Sequence, residues 1–136
     1  MDIKLYKNGP SKIIWFFVDD KGECPAEDFL DRLEKGDVRS RRKLLKLLDY
    51  TAKNGPPEKN EDKFKCFDTS PVCEFKCYKP PLRLFSFKVK DKTSKKLIGY
   101  CITHGSKKPG DRKKDYEPDM DTTLRIMGEL SEKGVF

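Results

Sequence analysis

The sequence predicts an α+β domain: a mostly antiparallel four-stranded sheet with an N-terminal helical hairpin on one face and a C-terminal helix, in the order βααβββα. Three observations predict it. An apolar run rich in β-branched and aromatic residues comes first, two segments with helical apolar stripes follow, and three strand candidates are then joined by short linkers. The 136 residues fit a single domain, 1–136.

Turn and cap signals delimit the first three elements. The segment "KIIWFFVDD" (12–20) predicts a strand that ends at a turn. In the next helix, Pro25 suits the first turn and Gly36 the end. A second, leucine-rich helix begins near Asp37 and ends at the Asn-Gly-Pro-Pro of 54–57.

Three strands and a helix follow. The strand candidates are "PVCEFKCY" (71–78), "PLRLFSFKV" (81–89) and "KKLIGYCITH" (95–104). Their linkers are too short for parallel crossovers, so the pairing is predicted to be antiparallel. The last helix is expected to start at Asp121 or Thr122.

The composition indicates a basic protein. Thirty Lys and Arg against 23 Asp and Glu give a formal charge of +7, which favours a polyanion or an acidic protein as partner. Surface charge that serves only solubility is the alternative. No apolar run reaches the roughly 18–20 residues of a membrane span, so we expect a cytoplasmic protein with no membrane partner.

The cysteines and the acidic residues predict neither a disulfide framework nor a metal site. The five cysteines include no C-x-x-C pair. Cys73, Phe75 and Cys77 alternate with Glu74 and Lys76, which places both thiols on the apolar face of a strand as small hydrophobes. The carboxylates near the last helix lack the spacing of a calcium loop. We therefore expect no metal and no cofactor.

Basic side chains are expected to gather on the sheet. Lys76, Arg83 and Lys88 lie on neighbouring predicted strands, and the loop after His104 supplies more cations. Those cations are Lys107, Lys108, Arg112, Lys113 and Lys114. Arg83 lies on the same face of its predicted strand as Phe85 and Phe87. It therefore either lies at the rim of an apolar face or binds an anion. Cations beside aromatic rings suit RNA.

RNA cleavage would need further chemistry. A base must take the 2′-hydroxyl proton, positive charge must stabilise the phosphorane, and an acid must protonate the leaving 5′-oxygen. His104 is the natural acid or base and Lys or Arg the natural stabiliser, without a metal. A purely structural histidine is the alternative.

The motifs resemble the RelE/HigB-type toxins of bacterial toxin–antitoxin modules, in particular the phage-associated HigB-like branch. The matching segments are "EDFLDRL" (27–33), "LLKLLDYTAKNGP" (44–56), "VCEFKCY" (72–78), "LRLFSFKV" (82–89) and "YCITHGSKKPGDRKK" (100–114). The resemblance covers roughly residues 12–130. It implies a RelE-like fold and a metal-independent endoribonuclease, an mRNA interferase, that attacks messenger RNA on the ribosome and is neutralised by an acidic cognate antitoxin.

The resemblance also implies roles for individual residues. Arg83, His104, Lys107 and Lys108 match the catalytic positions, and Lys76 matches the basic position of the preceding strand. Arg83, Lys107 and Lys108 are then expected to converge over one shallow basin. Tyr116 is a candidate for stacking on RNA or for catalysis. A binding module of the same fold that holds RNA or a protein without cleaving it is the main alternative.

Overall fold

The computed structural model describes residues 1–57, 59–78, 80–107 and 112–136. The strands within these ranges are β1 (Asp2–Asn8), β2 (Ile13–Val18), β3 (Phe64–Cys66), β4 (Val72–Cys77), β5 (Leu82–Lys90) and β6 (Leu97–Lys107). The helices are α1 (Pro25–Gly36), α2 (Val38–Asn54) and α3 (Lys113–Glu132). The strands form one sheet in the order β1-β2-β6-β5-β4-β3. The β2/β6 pair is parallel and the other four pairs are antiparallel.

The predicted four-stranded, mostly antiparallel sheet with the order βααβββα is wrong, although the α+β class holds. The sheet is six-stranded because β1 and β3 extend its two edges, and it is mixed because β2 pairs with β6 in parallel. Both are hard to detect in the sequence. In β1 only Ile3 and Tyr6 are half-buried, and in β3 only Phe64 is buried, so neither strand shows a strong apolar alternation.

The helices divide the sheet into two faces. We call the face covered by α1 and α2 the hairpin face; its core includes Leu30, Leu44, Leu48, Leu84 and Ile102. We call the opposite face, covered by α3, the α3 face. Its core consists of two apolar clusters, one around Ile126 and Leu130 and one around Phe67, Val72 and Phe85.

Helix α3 begins eight residues before Asp121 and nine before Thr122, the two predicted starting points. Its first residue is Lys113 rather than a residue after Asp121, and Pro118 lies inside it. The loss of one backbone hydrogen bond at a proline is offset by packing, because Tyr116, Met120 and Leu124 contact the second α3-face cluster. This early start brings the polar first half of α3 over the sheet.

The cysteines differ from expectation in one respect. Cys66 and Cys73 stand opposite each other in the β3/β4 register and form a disulfide, which ties the short edge strand β3 to β4. Cys24, Cys77 and Cys101 are free and buried. Burial raises the pKa of each of these three thiols.

Candidate functional site

Two of the predicted basic residues lie side by side on the α3 face. Lys76 of β4 and Arg83 of β5 are register partners, which places their side chains next to each other. They are 6% and 2% exposed. Glu74 lies on the same face, with Oε1 3.6 Å from Lys76 Nζ and Oε2 3.6 Å from Arg83 Nε. Of the two alternatives expected for Arg83, a place at the rim of an apolar face or contact with an anion, the structure shows contact with an anion that the protein itself supplies.

A β-bulge brings His104 to this face. Phe85 pairs with His104 but the next residue, Ser86, pairs with Ile102, so β6 has one extra residue here. A bulge of this kind changes the direction of the side chains beside it. The His104 ring stacks on Phe85 with centroids 5.4 Å apart, and Thr103 contacts α3 through Thr123.

Hydrogen bonds hold both ring nitrogens of His104. Nε2 lies 2.9 Å from Asp119 Oδ1, and Nδ1 lies 3.0 Å from Thr103 Oγ1. Because an ionised carboxylate only accepts, Nε2 donates to Asp119. Ser106 Oγ donates to the other Asp119 oxygen at 3.2 Å. His104 must therefore exchange one of these bonds before it can transfer a proton to or from a substrate.

The first turn of α3 places cations beside this network. Arg112, Lys113 and Lys114 are exposed, and one turn later the Tyr116 ring packs on Phe67 with centroids 4.7 Å apart. Asp115 caps the helix, accepting from the Arg112 backbone at 3.2 Å. The exposed cations predicted from the sequence thus lie at the end of α3 that covers the network.

Other predicted site residues lie elsewhere. Ser106 pairs with Arg83 on the α3 face, and the next residue, Lys107, pairs with Leu82. Because successive strand residues point to opposite faces, Lys107 lies on the hairpin face. The expected convergence of Arg83 and Lys107 is not observed. Lys88 also lies apart, in a shallow pocket on the hairpin face. Lys108 lies outside the described residues.

Comparison with known protein families found no family that matches the chain, and comparison with curated proteins found no relative. Across the described ranges, no helix is long and apolar enough to cross a membrane. Nor do the described side chains include three or more His, Cys, Asp or Glu grouped to hold a metal ion. The expected absence of a metal from the reaction stays a prediction.

Sequence reasoning missed the carboxylates of this network. The local pattern assigns neither of them a role: Glu74 alternates with the cysteines of its strand, and Asp119 is one of several acidic residues near the last helix. Glu74 could have been found from its spacing, because it lies two residues from Lys76 in β4 and therefore on the same strand face. Asp119 could have been found from helical spacing, because Tyr116, Asp119 and Thr123 lie on one face of α3 and this face is turned toward the sheet.

Proposed function

We propose that the protein is a toxin-type, metal-independent endoribonuclease that cleaves messenger RNA through the network on the α3 face. The observation that supports it best is the direct pairing of Lys76 with Arg83 on the sheet face that also carries His104, which lies two residues along β6 from Ser106, the partner of Arg83. Two cations and an imidazole on one sheet face, at the cationic end of a helix, are the groups that phosphodiester cleavage uses. The short sequence motifs shared with RelE/HigB toxins support the same activity, whereas the six-stranded sheet departs from the four-stranded RelE-like fold that the resemblance implied.

The proposed reaction needs only groups of this chain and of the RNA. The 2′-oxygen attacks the adjacent phosphorus and loses its proton to a base, while the bond to the 5′-oxygen breaks and that oxygen gains a proton from an acid. The products are a 2′,3′-cyclic phosphate and a 5′-hydroxyl. His104 takes the 2′-hydroxyl proton as the base and then, as imidazolium, delivers that proton to the leaving 5′-oxygen. Lys76 and Arg83 stabilise the charge that develops on the phosphorane between these two transfers.

Substrate binding would rearrange the network. A phosphate has the charge of the carboxylates that now contact these groups, so it can take the place of Asp119 at His104 and of Glu74 at Arg83. Asp119 would then act as the residue that holds the imidazole in position between turnovers. The exposed cations Arg112, Lys113 and Lys114 would bind the flanking backbone.

The proposal is tested by induced expression in a bacterial host, with growth and messenger-RNA 5′ ends recorded. Wild-type protein should arrest growth and create new RNA ends, whereas Arg83→Lys and His104→Gln should not. Arg125→Lys is the matched control, because Arg125 is exposed and its guanidinium bonds Glu129 one turn along α3. Normal growth with intact transcripts in cells that contain folded wild-type protein would refute the proposal.

The partners and location follow from this activity. A toxin of this class acts on messenger RNA at the ribosome in the cytoplasm and is held inactive by an acidic antitoxin, which the formal charge of +7 would attract. Co-expression of an acidic protein encoded beside this gene should restore growth. Failure of every neighbouring acidic protein to do so would remove the antitoxin from the proposal.

A second candidate function is RNA binding without cleavage. It is favoured by the engagement of both His104 ring nitrogens and by the Glu74–Arg83 ion pair, which together form a closed, mostly buried network. If this function holds, RNA affinity should be unchanged by His104→Gln and should fall when Lys113 and Lys114 are replaced. Transcripts should then stay intact.

A further inference from the structure

A cavity lies away from the network, at the sheet edge between α2, the connector before β3 and the end of β4. Its volume is about 820 Å³. This is within the roughly 300–1,000 Å³ typical of small-ligand pockets. We call it the α2 cleft; the lining residues that matter here are Lys43, Lys46, Leu47, Tyr50, Lys63 and Tyr78.

The helical spacing of α2 builds one wall of the cleft. Leu44 and Leu48 are fully buried against the sheet, so the next stripe of the helix faces outward. That stripe carries Lys43, Lys46 and Tyr50, at positions i, i+3 and i+7. The wall therefore combines two ammonium groups with an aromatic ring.

Two lining residues outside α2 supply matching groups. Lys63 adds a third exposed ammonium, and Tyr78 adds a second ring. Tyr50 and Tyr78 are 50% and 41% exposed, and the only other large hydrophobic side chains exposed among the described residues are Leu5 and Val38. Two of the four large hydrophobic side chains that are exposed among the described residues therefore lie in the α2 cleft, and both are tyrosine rings.

The charge of the cleft is unbalanced. Lys43, Lys46, Lys63 and Lys76 line it, against the single carboxylate of Asp62. Lys76 is already engaged with Glu74, which leaves three lysines and one carboxylate for a ligand. An anionic ligand that also presents flat rings would satisfy both the ammonium groups and the tyrosines.

We propose that the α2 cleft binds one or two nucleotides of single-stranded RNA. Bases stack on Tyr50 and Tyr78, and phosphates contact Lys43, Lys46 and Lys63. Stacking on an aromatic side chain holds any base, because every base has a π face, so the cleft binds with little sequence preference. An acidic peptide would pair with the lysines but would make no use of two exposed rings.

The inference goes beyond the proposed cleavage, because binding in the cleft needs no reaction. Lys76 connects the two regions. Its ammonium lies 5.9 Å from the Tyr78 ring centroid and 3.6 Å from Oε1 of Glu74 in the network. An RNA strand bound in the cleft can therefore continue past Lys76 toward Arg83 and His104.

The test is fluorescence anisotropy with a labelled six-nucleotide RNA that is 2′-O-methylated throughout and so cannot be cleaved by its own 2′-oxygens. Tyr50→Ala should weaken binding at least fivefold, whereas Tyr50→Phe, which keeps the ring, should bind within twofold of wild type. The double variant Lys43→Ala/Lys46→Ala should reduce the slope of log K against log salt by about 1.4, at about 0.7 per phosphate contact for single strands. Lys53→Ala is the matched control, an exposed lysine of α2 outside the cleft.

The outcomes separate this inference from the proposed activity. If Tyr50→Ala binds as wild type, or weakens binding no more than Lys53→Ala, the cleft is not an RNA site, whatever the protein cleaves. If a polyglutamate peptide displaces the RNA and itself binds Tyr50→Ala as tightly as wild type, the cleft is a protein site and the proposal is overturned. Binding that depends on Tyr50 supports the cleft even if transcripts stay intact.

Discussion

Replacing the buried hydroxyl of Thr103 tests how the protein holds its histidine. Thr103 is fully buried, and its Oγ1 lies 3.0 Å from His104 Nδ1, 3.1 Å from Thr123 Oγ1 and 3.3 Å from the Phe85 carbonyl. Thr103→Val keeps the shape and β-branching of the side chain but replaces the hydroxyl by a methyl group. The change therefore removes hydrogen bonds with little change in packing.

The magnitude follows from which groups lose a partner. Thr123 keeps its 2.9 Å bond to the Asp119 carbonyl, but His104 Nδ1 loses the bond described for it. A buried polar atom left without a partner costs about 1–3 kcal/mol. We therefore expect a loss of about 2 kcal/mol in the free energy of unfolding, and roughly 3–5 °C in Tm per kcal/mol for a chain of this size.

Urea denaturation followed by circular dichroism measures this loss. Thr122→Val is the matched control: it is the same chemical change on α3, where the hydroxyl bonds only the Pro118 carbonyl of its own helix at an exposed position. That change should cost no more than about 0.5 kcal/mol. Equal losses in the two variants would show that the Thr103 hydroxyl does not anchor the histidine, and the described network would be wrong.

Three further predictions concern packing, capping and thiol reactivity. Gly105→Ala should lower the free energy of unfolding, measured by urea denaturation, by about 1–3 kcal/mol, because the added Cβ would overlap the buried Phe29 ring. Gly128→Ala is the control: it has open space on α3, so this change should be neutral or stabilising. Hydrogen bonds from Ser40 lower the pKa of Asp37, the N-cap of α2, so its stabilisation is present above about pH 4 and is lost as pH falls through the folded pKa. Asp37→Asn, which caps without titrating, should lose less stability than wild type between pH 5 and pH 3; an identical loss would refute the assignment. Burial raises the pKa of Cys101, so iodoacetamide at pH 8 should modify it only as fast as the protein unfolds, and rapid modification of folded protein would contradict its burial.

The elements with strong local signals were predictable from the sequence. Helix α1 begins at Pro25 and ends at Gly36, and α2 ends at Asn54, as predicted. The three predicted consecutive strands correspond to β4, β5 and β6, and their ends differ from the observed ends by at most three residues. Each of these signals is local: a turn residue, a cap or an apolar alternation. The two edge strands escaped notice because each buries too few side chains to give such an alternation.

The candidate site was predictable only in part, because it depends on long-range register. Arg83 and Lys76 meet because of how β4 pairs with β5, and the sequence could indicate that neighbouring strands bring such residues together. The bulge at His104 and the early start of α3 could not be read from local patterns, since the bulge is a feature of the β5/β6 register and the first half of α3 makes its apolar contacts with distant parts of the chain. Lys107 was misplaced for the same reason, because one residue of register decides the face of a strand residue.

The central claim is that RNA is cleaved by attack of its own 2′-oxygen under the cations of the α3 face. The most direct measurement is mass spectrometry of the RNA ends formed when purified protein is added to a bacterial translation extract. The account predicts new 2′,3′-cyclic phosphate and 5′-hydroxyl ends that wild-type and Arg125→Lys protein form and that Arg83→Lys and His104→Gln protein do not. New ends with a 3′-hydroxyl and a 5′-phosphate, or equal cleavage by all four proteins, would contradict it.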